Sequence, residues 1–416
     1  MNKNGGKEYS LRYEDFVNLK YCPTDDDLIC EFIVEPEGVS LKEAAGAIAA
    51  ESSIGTWTEL STMRSYVTDL HAKVFKMDGG TVKIAYPIEL FEYGNMPNIL
   101  SSIAGNVFGL KTLRNLRLED VHIPRRLVKT FKGPKYGIEG VREVTRVYGR
   151  PLLGTIIKPK IGLKTQDHAK IAYEAWVGGC DVVKDDENLS GQRFNPFEDR
   201  VIQTLEMRDR AEGETGESKM YMVNVTAETE EMLRRASFVE EQGGEYVMVD
   251  ILTCGWSALQ TLRNRDLNLV IHAHRAGHAA FTRNPKHGIS MNVIAKIVRI
   301  IGLDQLHVGA AFGKMSEGEG EVKRNCEVLR GDLYGLKEVM PVASGGLHPR
   351  TLPPLIENFG LDIVIQAGGG VHGHPGGTIS GAKAMRQAIE ASAKGVRLDD
   401  YAGSHPELDQ ALKLWL

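Results

Sequence analysis

The 416-residue chain has little cysteine: only Cys22, Cys30, Cys180, Cys254 and Cys326. The number is odd, the spacings are wide and no C-x-x-C occurs. The thiols therefore read as reduced, in a cytoplasmic protein, and nothing supports a catalytic cysteine. No apolar run approaches the ~18 residues of a membrane span. The opening MNKNGGKEYS has no apolar stretch behind its lysines, so no secretory signal is read. Basic charge is not in excess: Lys+Arg 50 against Asp+Glu 55 leaves −5. That argues against a nucleic-acid partner or an anionic membrane surface. What is there is a hydrophobic content of 42%, enough for a real core. Glycine is abundant, 45 of 416 residues, or about 11% against a usual level of about 7%. No Gly-X-Y period accompanies it, so the glycines belong in turns and where backbone approaches a ligand closely.

The first 132 residues mix a strand-like run (27–35, DLICEFIVE), a helix-like run (41–52) and short strands within 72–87. This is an α+β pattern without regular alternation. The polar, turn-rich IPRRLVKTFKGPKYG places a boundary near Lys132, giving expected domains of 1–132 and 133–416. Beyond it, eight apolar runs alternate with helix-like stretches: 152–158, 181–187, 220–227, 246–253, 267–274, 305–310, 339–344 and 362–367. Among the helix-like stretches are 229–244, 289–302 and one ending near Gly395. Eight strand–helix units in roughly 280 residues predict a (β/α)8 barrel. A doubly wound sheet rarely needs eight consecutive parallel units.

A barrel puts its chemistry at the C-terminal ends of its strands, and unusual polar residues fall there. Lys184 and Asp186 are two apart, so they share a face, and Glu187 can turn in beside them. Two carboxylates favour a hard cation such as Mg²⁺, which a lysine would repel. Two readings stay open: a buried Lys184–Asp186 salt bridge, or a Lys184 carbamate made with CO₂, an anionic oxygen ligand. His272, His274 and His278 form H-x-H-x₃-H. With Arg275 beside them they read as acid–base and phosphate groups ahead of a zinc site. Lys158 and Lys160 share a face across Pro159, and their mutual repulsion suits one to carry protons. Lys314, among Gly313, Gly318 and Gly320, has the makings of a lid.

The run Gly368-Gly369-Gly370-Val371-His372-Gly373 matches G-x-G-x-x-G. Only one helix and a tail are expected after it, so the dinucleotide-binding βαβ unit is missing. A phosphate site is the better reading, with Ser344-Gly345-Gly346 as the neighbouring loop. Arg275 with His307 makes a second anion site. A Mg²⁺-dependent barrel enzyme acting on a bisphosphate follows; the reaction itself does not.

These segments resemble ribulose-1,5-bisphosphate carboxylase/oxygenase (RuBisCO). GTIIKPKIGL, GGCDVVKDDEN, HAHRAGH, HVGAAFGKM, ASGGLHP and QAGGGVHGHPGG follow in the family's order, and ESSIGTW and GNVFG match in the smaller domain. The resemblance covers nearly the whole chain and is closest to the archaeal-type form III, associated with recycling the ribose of nucleotides such as AMP. It implies that Lys184 is carbamylated by an activator CO₂ and holds Mg²⁺ with Asp186 and Glu187. It further implies that Lys158 carries protons in enolisation with support from Lys160, that His274 acts around C3 hydration, and that Lys314 meets the incoming CO₂. Arg275, His307 and Ser344 would hold one end of ribulose 1,5-bisphosphate. Gly345, Gly346, Gln366, Gly368 and Gly369 would line the other. Thr56, Trp57, Asn106 and Glu51 would come from a neighbouring subunit, Glu51 pairing with Lys314. A homodimer or an assembly of dimers without a small subunit follows, with O₂ as a competing substrate. Ile156 stands where the plant type has threonine, and Phe312 and the short tail (411–416) alter the lid and its latch.

Three other activities share parts of this pattern. A RuBisCO-like enolase or isomerase loses part of the residue set, which is complete here. A metal-dependent hydrolase needs further histidines at other strand ends. A non-catalytic sugar-phosphate binder gains nothing from a full acid–base set.

Overall fold

The computed structural model describes residues 11–56, 58, 60–310 and 318–415. By its contacts the chain divides into two units. One comprises Met1–Phe131 with Gly277–Ile297; the other comprises Lys132–Ala276 with Val298–Leu416. The first unit therefore includes a segment that lies inside the expected 133–416 run.

The first unit is built on a five-stranded sheet. Its strands are β1 (Asp27–Pro36), β2 (Lys73–Asp78), β3 (Thr81–Pro87) and β4 (Leu113–His122), and β10 (Gly288–Ile289) joins at one edge. The order is β10-β4-β1-β3-β2. Burial alternates along β1, with Leu28, Cys30, Phe32 and Val34 on the covered face, as period-two sheet packing requires. The short β10 explains the grouping of the later segment. It pairs parallel with β4, and the Arg117 guanidinium donates to the carbonyls of Thr282 and Asn284 at 3.1 and 2.7 Å. Helix Leu41–Glu51 starts at Ser40, whose hydroxyl accepts the amide of Glu43, a standard N-cap.

The second unit is a closed barrel of eight parallel strands. They are β5 (Leu152–Ile156), β6 (Val182–Lys184), β7 (Met220–Asn224), β8 (Tyr246–Asp250), β9 (Val270–His274), β11 (Gln305–His307), β12 (Met340–Ser344) and β13 (Val364–Gln366). All eight expected strands are present, each shorter than its apolar run. The helices at 229–244 and 289–302 are Thr229–Glu241 and Met291–Ile301.

Alternation along the strands splits the barrel interior into layers. Leu152, Val182, Met220, Met222, Tyr246, Met248, Val270, Met340, Val342 and Val364 form one apolar cluster with Ile138 and Val141. The last two belong to helix Gly137–Thr145, which closes the N-terminal end. Asp304 fixes that helix by accepting the amides of Tyr136 and Gly137 at 2.7 and 3.0 Å. One step further along the same strand faces stand Lys184, Asp250, His272, His274, Gln305, His307, Ser344 and Gln366. The floor is apolar, and the residues toward the C-terminal ends are polar.

Candidate functional site

Lys184, the last residue of β6, is a buried charge at this end, only 1% exposed. Its Nζ donates to the Asp185 carbonyl at 2.6 Å and lies 3.9 Å from Glu187 Oε2. Burial holds the ammonium below the usual lysine range, against the opposing pull of Glu187 and Asp186. Of the two readings left open for Lys184, the direct Lys184–Asp186 salt bridge is not what forms. Asp186 instead accepts Lys158 Nζ at 2.8 Å. Burial raises its carboxyl, but Lys158 and Asn188 outweigh this and hold it below the ordinary range. The physical reason is that β6 stops at Lys184, so strand alternation no longer sets where Asp186 points.

Asp185 faces the opposite way. Its carboxylate takes the Tyr221 hydroxyl at 2.7 Å and the Asn224 amide at 3.0 Å. Arg200 Nε lies 3.3 Å away and His168 Nε2 3.1 Å away. Burial alone would raise this carboxyl; Arg200, His168 and Tyr221 together hold it well below normal. Asn224, at the end of β7, donates to the carbonyls of Glu187 and Leu189 at 3.1 and 2.9 Å. The loop carrying Asp186 and Glu187 is thus fixed from behind by Asp185 and from beside by Asn224.

Across the barrel, Asp250 and His274 are register partners on β8 and β9. Asp250 Oδ1 accepts His274 Nδ1 at 2.6 Å, leaving Nε2 at 3.7 Å from Glu187. His272 Nδ1 donates to Gln305 Oε1 at 2.9 Å, and His307 Nδ1 meets Ser344 Oγ at 2.9 Å. The three imidazoles cluster edge to face, with centroids 4.7 and 4.9 Å apart. Burial pushes His272 and His307 well below the normal histidine range, and Lys184 adds to this. Both rings are neutral at physiological pH. Their Nε2 atoms, and both amide atoms of Gln366, are buried without a hydrogen-bond partner among the described residues.

Gly154 makes room for Gln366: a Cβ there would fall 2.6 Å from the Gln366 amide. Gly345 and Gly346 have φ of 110° and 79°, open to glycine alone at little cost. Gly368 and Gly369 begin the short helix Gly369–His372, and a methyl on Gly370 would run into the Leu347 carbonyl. The loops after β12 and β13 therefore touch backbone to backbone. Among the described residues no strand follows β13; helices Gly377–Ala393, Leu398–Ala402 and Pro406–Leu414 do. That is more helix than the sequence suggested, still without a dinucleotide βαβ unit.

The structure brings Lys158, Lys184, Asp186, Glu187 and His274 together through the contacts above. Lys160 is exposed and lies past the end of β5 with Lys158, so the shared-face argument does not reach either. Arg275 is buried. In the first unit Asn106 Nδ2 donates to Glu51 Oε1 at 3.4 Å. Thr56 is half-buried. Trp57, Phe312 and Lys314 lie outside the described residues. Sequence reasoning missed Asp185, Asn224, Asp250, Arg200 and Tyr221. The signal available for Asn224 and Asp250 was a polar residue interrupting an otherwise apolar run.

Among the described residues no three His, Cys, Asp or Glu side chains stand ready to hold a metal ion. Asp186 and Glu187 supply two hard oxygen donors, and the third group beside them is the Lys184 amine. That donor set fits a divalent cation once the amine carries an anionic oxygen.

Residues 137–415 match the family described as ribulose bisphosphate carboxylase large chain, catalytic domain, and residues 15–127 match its N-terminal domain. A ribulose bisphosphate carboxylase of Pyrococcus furiosus is 53% identical, covering 97% of each chain. One of Methanocaldococcus jannaschii is 51% identical over 96% of this chain and all of its own. The crystal structure of octameric Rubisco from Pyrococcus horikoshii, in complex with sulfate ion, superposes with a TM-score of 0.95 at 52% identity, covering 97% of both chains. Dimeric archaeal Rubisco from Hyperthermus butylicus gives 0.91 at 47% identity, covering 97% of this chain and 99% of that one.

Proposed function

The chain belongs to the ribulose bisphosphate carboxylase large-chain family, and on that premise we propose how its residues share the work. The enzyme is a carboxy-lyase of ribulose bisphosphate with oxygenation as a side activity. The observation that carries the residue assignment is a buried amine with depressed basicity, Lys184, beside two carboxylates at a barrel mouth. CO₂ reacts only with a neutral amine: R–NH₂ + CO₂ gives R–NH–COO⁻ and H⁺. Burial raises the neutral fraction, and the product replaces a cation with an oxygen donor. Lys184 in that form, Asp186 and Glu187 would hold Mg²⁺. The ion would polarise the C2 carbonyl and lower the energy of the enediolate.

Lys158, held by Asp186, takes and returns a proton during enolisation, and Lys160 supports it. His274 moves the proton around C3 hydration, its tautomer fixed by Asp250. Lys314 meets the carboxylate formed from CO₂. Arg275, His307 and Ser344 hold one phosphate; Gly345, Gly346, Gln366, Gly368 and Gly369 hold the other end. Glu51, Thr56, Trp57 and Asn106 serve the site of a neighbouring copy, so the working unit is a dimer or a multiple of dimers without a small subunit. The place in metabolism we infer is the recycling of nucleotide ribose in the cytoplasm. No helix among the described residues is long and apolar enough to cross a membrane.

The test is incubation with ribulose 1,5-bisphosphate, Mg²⁺ and labelled CO₂, with and without O₂. Labelled 3-phosphoglycerate is expected. Its absence from carbamylated protein refutes the reading.

A further inference from the structure

The tail, expected only to bear on a lid, is occupied elsewhere. Helix Pro406–Leu414 is fastened at both ends to the loops after β12 and β13. Near its start, the Glu407 carbonyl accepts His374 Nε2 at 3.0 Å, from the β13 loop. Gln387 adds two bonds: its amide reaches Glu407 Oε2 at 3.1 Å, and its oxygen takes the Leu408 amide at 3.1 Å. At its end, Arg350 of the β12 loop donates Nη2 and Nε to the Leu412 carbonyl at 3.1 and 3.3 Å. That carbonyl is one of the four that a helix end leaves unpaired, and a cation there also meets the negative end of the helix dipole. One residue beyond the helix, the Trp415 indole stacks on His348, with centroids 5.6 Å apart and planes 21° apart. His348 is two residues from Gly346. Leu408, Ala411 and Leu412 are buried beneath the helix, so it is anchored by packing as well.

We propose that helix Pro406–Leu414 is a strap that holds the β12 and β13 loops in register, with Arg350, His348 and Trp415 as positioning residues for the phosphate held there. The inference rests on the assignment of those loops to phosphate. The two loops meet closely through backbone at Gly370 and Leu347, so small shifts between them open the cradle. None of the contacts given above for the strap involves Lys184 or His274. Its loss weakens substrate capture and leaves the chemistry in place.

The test uses the full chain and three variants: Trp415→Ala, Trp415→Phe and Arg350→Gln. Affinity for ribulose 1,5-bisphosphate is measured by calorimetry, and kcat and KM by labelled CO₂ fixation. Trp415→Ala and Arg350→Gln are expected to weaken affinity and raise KM about threefold to tenfold, the range of one lost stack or charged hydrogen bond. Their kcat stays within about twofold, and Trp415→Phe, which keeps a ring on His348, restores KM. Unchanged affinity in Trp415→Ala overturns the strap, as does a fall in kcat at constant KM or no rescue by phenylalanine. If Trp415→Ala fails to fold, Arg350→Gln decides by the same criterion. A parent that binds the bisphosphate without fixing CO₂ refutes the proposed reaction and leaves the strap to be judged on affinity. A parent that does not bind it overturns both.

Discussion

Replacing Arg200 with methionine tests how the loop of Asp186 and Glu187 is held. Arg200 and Asp185 are both 0% exposed and lie 3.3 Å apart. Arg200 also donates to the Asn195 and Ser190 carbonyls at 3.0 and 2.6 Å. Methionine fills similar space but removes every one of these donors. Asp185 keeps only the Tyr221 hydroxyl, the Asn224 amide and His168 around a buried negative charge. Removing one partner of a buried pair typically costs about 3–5 kcal/mol. At about 2 °C per kcal/mol for a large domain, Tm should fall by about 6–10 °C. The double variant Arg200→Met with Asp185→Asn leaves no stranded charge, so it should be less destabilised than the two singles summed, by at least about 1.5 kcal/mol. The pH dependence has a definite sign. The folded Asp185 carboxyl lies below its unfolded value. The parent therefore holds this stabilisation above the unfolded pKa of about 3.9 and loses it as pH falls through the folded value. Thermal denaturation at fixed protein concentration reads all three effects. A shift under about 2 °C in Arg200→Met, or additive singles, would refute the view that this pair braces the loop.

Three further outcomes are expected. Lys184→Ala should abolish both activation by CO₂ with Mg²⁺ and turnover; retained carboxylation would remove Lys184 from its assigned role. Asp250→Asn should lower kcat about 10²-fold with KM near the parent's, because the amide no longer selects the His274 tautomer; an unchanged kcat speaks against the pair. Burial depresses the folded His372 to about 4. Its stabilisation is therefore complete above an unfolded value of about 6.5 and is lost as pH falls toward 4, by about 3 kcal/mol in all. His372→Gln should flatten that stretch of the stability curve, and parallel curves for parent and variant would contradict it.

The barrel was legible because each of its strands is buried on both faces and so reads as a continuous apolar run. The ends were less legible. The run 181–187 extends past β6 because Asp185 and Asp186 continue it in sequence while the chain has already left the ladder. The same overrun led to the Lys184–Asp186 pairing: strand parity gives a face, but the partner is set by where the strand stops. In the first unit, β4 reads as LRNLRLEDVH, whose two arginines, glutamate and aspartate hide it from an apolar count. Asp185 was passed over because its partners come from three different elements. His168 lies 17 residues before it, Arg200 and Tyr221 15 and 36 residues after it, and no local spacing brings them together.

The layering of the barrel also decides which groups can meet a doubly phosphorylated substrate. Below the mouth, burial works against every cation, so His272 and His307 sit neutral at centroid spacings that charged rings would not tolerate. Those imidazoles can orient an anion by hydrogen bonding but add little charge. On the proposed assignment the fixed positive charge comes from Arg275, whose guanidinium does not deprotonate in proteins. We propose that backbone amides serve the other end of the substrate, where Gly345, Gly346, Gly368 and Gly369 gather and where the Lys158 side chain lies against Gly368. The glycine excess is thus tied to the histidine cluster. Where the imidazoles are neutral, backbone amides add anion affinity to that of Arg275, and backbone can come close enough only where side chains are absent.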